Sequence, residues 1–250
     1  HHRAGRLLEA EILYRRGLDA HTTHAEALYY LGRISSEQGK RSEAAELLER
    51  SLAVSPGHPE RANNLGAVYQ ALGDVDKAVQ YFEMAIDGDD GQAEAHLNLA
   101  TIRHARGKLA DAEAGYRRAI AIKPNFAIAH SNLSSLLRLQ GRHDEAVAAA
   151  SRAVEIDADS AKAHNNLGVA LHEQNHLMAA FQSFKRAVEI DPEYAEAYNN
   201  MGSVFRDENH TDGAIASYRK AVALDPNLAD AHNNLGSILQ RQGDWEGARG

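Results

Sequence analysis

The sequence predicts an all-α fold, a right-handed α-solenoid of stacked antiparallel helix pairs, and three observations carry the prediction. The string Asn-Asn-Leu-Gly recurs at 63–66, 165–168 and 233–236, with Asn-Asn-Met-Gly at 199–202, always at multiples of 34 residues. Pro56, Pro124, Pro192 and Pro226 keep the same spacing. So do Gly39, Gly73, Gly107, Gly141 and Gly243, with Asn175 and Asn209 in the two intervening places. A fixed period of this length is the mark of identical supersecondary units laid side by side.

Each element of the unit follows from its residues. Numbering every repeat from 1 to 34, beginning at Ala25, puts Leu31, Leu65, Leu99, Leu133, Leu167, Met201 and Leu235 at position 7. Position 8 is always small: Gly32, Gly66, Ala100, Ser134, Gly168, Gly202 and Gly236. Positions 4, 7, 8 and 11 follow the i, i+3, i+4, i+7 rule and form one face of a first helix. The Gly or Asn at position 15 supplies the positive φ of a tight turn. Ala44, Ala78, Ala112, Ala146, Ala180, Ala214 and Ala248 at position 20 begin the packed face of a second helix. Leu48, Phe82, Tyr116, Ala150, Phe184 and Tyr218 continue that face at position 24. Proline near position 32 ends the second helix. Neither helix can bury its stripe alone, so the pairs stack on their neighbours. The prediction is one array over 1–250, with full repeats at 25–58, 59–92, 93–126, 127–160, 161–194 and 195–228. Residues 1–24 fit the tail of a preceding repeat, with Gly5, Ala10 and Tyr14 at positions 15, 20 and 24, and 229–250 begin a seventh.

Composition narrows the function. The 250 residues carry 27 Lys and Arg against 35 Asp and Glu, a formal charge of −8, and no Cys. No disulfide, thiolate metal site or Cys nucleophile is available. The acidic balance argues against nucleic acid and anionic lipid as partners. No apolar run approaches the roughly 18 residues of a membrane span, and no charged-then-apolar leader opens the chain. A cytoplasmic protein is the expectation, and His1-His2 fits a tag remnant.

The period and the pattern of Leu-Gly at positions 7 and 8, Ala at 20, Phe or Tyr at 24 and Pro at 32 resemble the tetratricopeptide repeat, over essentially the whole chain. The resemblance implies that first helices line the concave side of a superhelix and expose positions 2, 5, 6, 9, 12 and 13 there. Position 6 is Asn64, Asn98, Asn132, Asn166, Asn200 and Asn234 in six successive repeats, and Tyr30 in the repeat before them. Position 5 adds Asn63, Asn165, Asn199 and Asn233. Asn is about 0.6 kcal/mol worse than Ala inside a helix, so ten of them cost on the order of 6 kcal/mol that something must offset.

These ten residues are the candidate peptide-binding residues. A primary amide carries a donor and an acceptor, and meets both the N–H and the C=O of an extended main chain. First helices ~10 Å apart, against an advance of about 3.3 Å per extended residue, give one rung to every third guest residue. Two other readings stand beside this one: the amides bond the neighbouring repeat and stitch the stack, or they are copies left by duplication. Runs of such repeats are similar to the N-terminal superhelix of the O-linked N-acetylglucosamine transferases and their bacterial relatives, which implies a substrate-selecting arm of a larger glycosyltransferase as the alternative function. The tetratricopeptide domains that hold chaperone tails use Lys or Arg at positions 2, 5 and 6, and positions 5 and 6 here are never basic.

Two other motifs are weighed and set aside. His172-Glu173-Gln174-Asn175-His176 fits H-E-x-x-H, but positions 12–16 straddle the end of the first helix. His96, His130, His164 and His232 recur at position 4, too far apart for shared ligation at ~2.1 Å, and are assigned to packing. The expectation is a non-enzymatic protein-interaction scaffold with no cofactor and no metal, holding an extended peptide, with self-association through the open ends. A purely structural oligomerisation spacer is the third class. Residues 229–250 are expected to fray or to be covered, since Leu235 and Ile238 lose an outer neighbour.

Overall fold

The computed structural model describes residues 2–20 and 23–243. Among these it contains fourteen α-helices and no strand. Helix α1 is His2–Ala20, and thereafter first and second helices alternate. The first helices are α2 (Ala25–Glu37), α4 (Pro59–Leu72), α6 (Ala93–Ala105), α8 (Ala127–Leu139), α10 (Ala161–Glu173), α12 (Ala195–Asp207) and α14 (Ala229–Gln242). The second helices are α3 (Arg41–Val54), α5 (Val75–Gly88), α7 (Leu109–Ile122), α9 (His143–Ile156), α11 (Leu177–Ile190) and α13 (Thr211–Leu224). The chain divides into two compact units, residues 1–124 and 125–250. Each is built of helical hairpins packed side by side.

The turn inside each hairpin is the one the spacing predicts. Gly39, Gly73, Gly107, Gly141 and Gly243 have φ between 73° and 84°, and Asn175 and Asn209 take 60° and 62° in the equivalent places. A side chain in the left-handed region is costly except for Gly and Asn, which explains the alternation of these two types. The second helix ends at position 30 whether or not Pro follows. Asp89, Asp191 and Asp225 at position 31 accept hydrogen bonds from the backbone N–H two residues on, at 2.9–3.0 Å. This Asp turn competes with the helix ladder at three of the six ends, while α3, α7 and α9 stop at the same position with Ser55, Lys123 and Asp157 there.

Within a hairpin, position 8 is small because position 24 lies on it. A Cβ at Gly66 would stand 2.7 Å from the Phe82 ring, at Gly168 2.5 Å from Phe184, and at Gly202 2.6 Å from Tyr218. Phe82, Phe184 and Tyr218 are fully buried. Where position 24 is only Ala150, position 8 has room for Ser134, whose hydroxyl donates to the Ala146 carbonyl at 2.8 Å. In the first unit these pairs join one core running from Tyr29 to Ile102. In the second, Phe184 with Val204 and Tyr218 with Ile238 and Leu239 centre two further clusters.

Two expectations come out differently. Helix α1 runs unbroken through Gly5, where a turn was expected, so this glycine sits inside a helix of 19 residues. Ile238 is buried to 5% exposure against Ala214, Ile215 and Tyr218 rather than left bare. The part of the fraying expectation that concerns 244–250 lies outside the described residues.

Candidate groove on the first-helix face

The position-6 amides form a directional set of inter-repeat hydrogen bonds. Five of the six donate from Nδ2 to the position-5 side chain of the repeat before, 35 residues earlier. In the first unit Asn64 donates to the Tyr29 hydroxyl at 2.7 Å and Asn98 to Asn63 Oδ1 at 3.2 Å. In the second, Asn166 donates to Ser131 Oγ at 2.8 Å, and Asn200 and Asn234 to Asn165 and Asn199 Oδ1, both at 2.9 Å. Asn132 is half-buried and has an interaction of its own. All six position-6 residues are partly exposed, whereas Asn165 and Asn199 at position 5 are buried at 7% and 8% exposure. Asn63 is half-buried and Asn233 exposed.

The two positions therefore divide the work. Position 5 lies beneath and accepts; position 6 lies at the surface and donates. An Asn side chain offers two N–H bonds and a carbonyl with two lone pairs. One N–H of each of these five amides goes to the scaffold, leaving one N–H and the carbonyl oxygen. The hydroxyls at position 9 do not compete, since Thr101, Ser135 and Ser203 donate to the carbonyls of Leu97, Ser131 and Asn199 in their own helices, at 2.9, 3.3 and 3.3 Å.

A second stitch crosses the same interval at the carboxyl ends of the first helices. Arg138 at position 12 donates to Glu173 at position 13 of the next repeat (2.6 Å), and His172 pairs with Asp207 in the same way (2.8 Å). Burial pushes the Asp207 carboxyl up, but the hydrogen bonds from Arg206 and His172 outweigh it and leave the pKa below the usual carboxylate range. Residue types at position 13 vary, and pairing them needs the 35-residue offset, so sequence alone did not join them.

The histidines are placed by the same logic. His96, His164 and His232 at position 4 each bring Nε2 to the carbonyl of position 32 of the repeat before, at 2.9–3.1 Å. They latch the loop between hairpins, and the packing role expected of them does not extend to His232, which is exposed. His172 lies in the last turn of α10 and His176 at the N-cap position of α11, with Asn175 in the turn between, so the two rings do not share a helical turn. Among the described residues no group of three His, Asp or Glu is placed to hold a metal ion, and no helix is long and apolar enough to cross a membrane.

The amino-terminal end of this face departs from the rest. Tyr29 is buried, and its hydroxyl donates to Glu60 at 2.6 Å while accepting from Asn64. Burial first, and then the Glu60 carboxylate, push its pKa up to about 12. The guanidinium groups of Arg33 and Arg61 lie 5.8 and 5.6 Å from the centre of its ring. Tyr30 is 40% exposed and stacks on Tyr14 with centroids 5.3 Å apart.

Comparison with known proteins agrees with this architecture. A family profile described as TPR repeat matches residues 135–175, 170–206 and 202–243, and two described as tetratricopeptide repeat match 59–125 and 25–58. A search of curated proteins returned no match. Among solved structures, a chain of the APC/C hetero-tetramer Cut9–Hcn1 superposes with a TM-score of 0.82 at 17% identity, over 95% of this chain and 47% of that one. The chain thus spans about half the length of that relative. Pseudomonas aeruginosa pilF gives 0.73 at 14% identity, over 84% and 95% of the two chains. YrrB, described as a TPR protein with an unusual peptide-binding site, gives 0.61 at 18% identity over 76% and 97%.

Proposed function

The chain belongs to the tetratricopeptide repeat family, and from that premise we propose that it is a non-catalytic protein-interaction scaffold whose first-helix face holds an extended polypeptide by its main chain. The contact residues in this reading are Asn64, Asn98, Asn132, Asn166, Asn200 and Asn234. Asn63, Asn165 and Asn199 are positioning residues beneath them, and Asn233 is the exposed member of that row. One observation carries the reading: five of the six position-6 amides are fixed by a bond to the repeat before, yet keep an N–H and a carbonyl for a guest. Stitching and ligand binding are therefore parts of one device, because the stitch removes the rotamer freedom that a guest would otherwise have to freeze. Peptide binding is described for YrrB, which shares the fold.

Recognition through the main chain is tolerant of guest sequence. The experiment is a panel of unrelated peptides offered to the chain carrying Asn166→Ala, Asn200→Ala and Asn234→Ala together. Binding should fall across the whole panel while far-ultraviolet circular dichroism is unchanged, since Ala is the better helix former. Undiminished binding defeats the proposal.

A second reading is favoured by the unbroken run of Asn at position 6 in six repeats. In it the chain is the substrate-selecting arm of a glycosyltransferase of the O-linked N-acetylglucosamine type, and the same face would hold the acceptor protein. Fusing the chain to a transferase domain of that type and assaying modification of groove-binding peptides separates the two readings. No preference for those peptides would leave the scaffold alone.

A further inference from the structure

Three positions that are nearly uniform along the chain change together at its amino-terminal end. Position 3 is Ala27, Ala95, Ala129, Ala163, Ala197 and Ala231, all buried, but Arg61 in the second repeat. Position 9 is small or β-branched in every repeat except the first, which has Arg33. Position 6 is Asn everywhere except Tyr30. The structure brings these three departures to one place, with both guanidinium groups against the ring of Tyr29 and Tyr30 packed at 5.2 Å beside it.

Arg61 is only 8% exposed, and its Nη1 is buried without a hydrogen-bond partner. A buried cationic donor with no acceptor is a costly arrangement that the fold does not require, because six sister repeats manage with Ala. The Tyr29 ring face offsets part of that cost. Among the described residues no acidic side chain pairs with either arginine. Glu60 is held by the Tyr29 hydroxyl and pairs with neither arginine, and Glu37, which lines a recess with Arg33, Ser36 and Asn64, forms no ion pair with Arg33. Two arginines against two glutamates leave the local charge balanced. What singles the place out is thus one unfilled donor and a pair of stacked guanidinium groups, not a general field.

We propose that Arg61 and Arg33, set against Tyr29 and Tyr30, anchor one anionic side chain of the guest, a carboxylate or a phosphate. The oxygen atoms of such a group accept from the guanidinium N–H bonds, and the exposed ring of Tyr30 covers the apolar stem. The anchor adds a fixed register to a main-chain ladder that has none of its own. This inference rests on the groove reading for the rest of the guest, but not for the anchor itself.

Three fluorescent dodecapeptides with one Ala/Ser backbone and a single Glu, phosphoserine or Gln are titrated into the full chain. The Glu or the phosphoserine peptide should bind at least about five-fold more tightly than the Gln peptide, and whichever does so identifies the source of the anion. Arg61→Ala and Arg33→Ser, substitutions to residues that sister repeats carry at those positions, should each bring the ratio to about one without lowering affinity for the Gln peptide or the thermal midpoint. A ratio that survives in both variants overturns the anchor, as does a native chain that shows no ratio. The Asn166→Ala, Asn200→Ala, Asn234→Ala chain should lose affinity for all three peptides equally, which reports on the groove alone. Inorganic phosphate, followed by the guanidinium N–H resonance of Arg61, gives a readout free of the groove: a saturable shift is expected, and its absence counts against the anchor.

Discussion

At the scale of single residues, one tyrosine shows how a side chain is tuned by what surrounds it. Tyr29 titrates near 12 because burial and the Glu60 carboxylate both oppose the phenolate. The folded chain therefore favours the neutral phenol. The stabilisation is fully present below the ordinary tyrosine pKa of about 10 and is lost as pH rises through about 12. Tyrosinate absorbance followed through alkaline pH should contain a late step near 12 that Tyr29→Phe removes; an unchanged titration would contradict the assignment. The same residue marks how far the sequence could be read. Asn at position 6 was visible as a recurrence, and so was Tyr30 as its exception. The acceptors were not, because Tyr29, Asn63, Ser131, Asn165 and Asn199 differ chemically and lie 35 residues from their donors. Arg61 carried a signal that went unused: it is the single charge in a column of alanines.

At the scale of the helical hairpin, the pairing of positions 8 and 24 sets the distance between the two helices. A Cβ on Gly168 meets three atoms of the fully buried Phe184 ring at 2.5–2.9 Å. Gly168→Ala should cost up to about 2 kcal/mol net, an overpacking penalty of about 1–3 kcal/mol less the ~1 kcal/mol that Ala gains in a helix. Gly236 occupies the same position with nothing among the described residues within 4 Å, so Gly236→Ala should instead gain up to about 1 kcal/mol. Urea midpoints of the two variants moving in the same direction would sink the argument. Hairpin geometry was legible in the sequence because a positive φ and a buried ring each demand a particular residue type. The exact end of the second helix was less so. Proline suggested it at four ends, and at three ends Asp89, Asp191 and Asp225 add a side-chain turn that proline spacing does not reveal. Helix α1, which passes through Gly5, shows the reverse failure: a lone glycine marks a turn only when the surrounding chain returns on itself.

At the scale of the molecule, each unit is held by packing and repeated bonds between neighbouring repeats. Some of these are ionic and respond to pH. Asp207 has a lowered pKa, so its contribution is present above the ordinary aspartate value of about 3.9 and is lost as pH falls through its folded value. Its pair with His172 is partly exposed, which keeps the effect small. Acid unfolding of Asp207→Asn should accordingly be shallower below pH of about 4 than that of the native chain, and a superimposable acid limb would contradict this. The repeat, and with it the family, could be read from periodicity alone. The bonds between repeats could not, since they depend on which side chains a stacking offset of 35 residues brings together.

The central claim is that surface amides, steadied by the repeat behind them, grip the main chain of a guest. Replacing main-chain amides by esters at every third residue of a bound peptide removes N–H donors and weakens carbonyl acceptors while leaving every side chain in place. Affinity measured by calorimetry should fall by about 30-fold for each pair of replacements in register with the Asn rungs, since a hydrogen bond contributes about 1 kcal/mol, and should fall much less for replacements out of register. Equal affinity for the ester and amide peptides in every register would contradict the account.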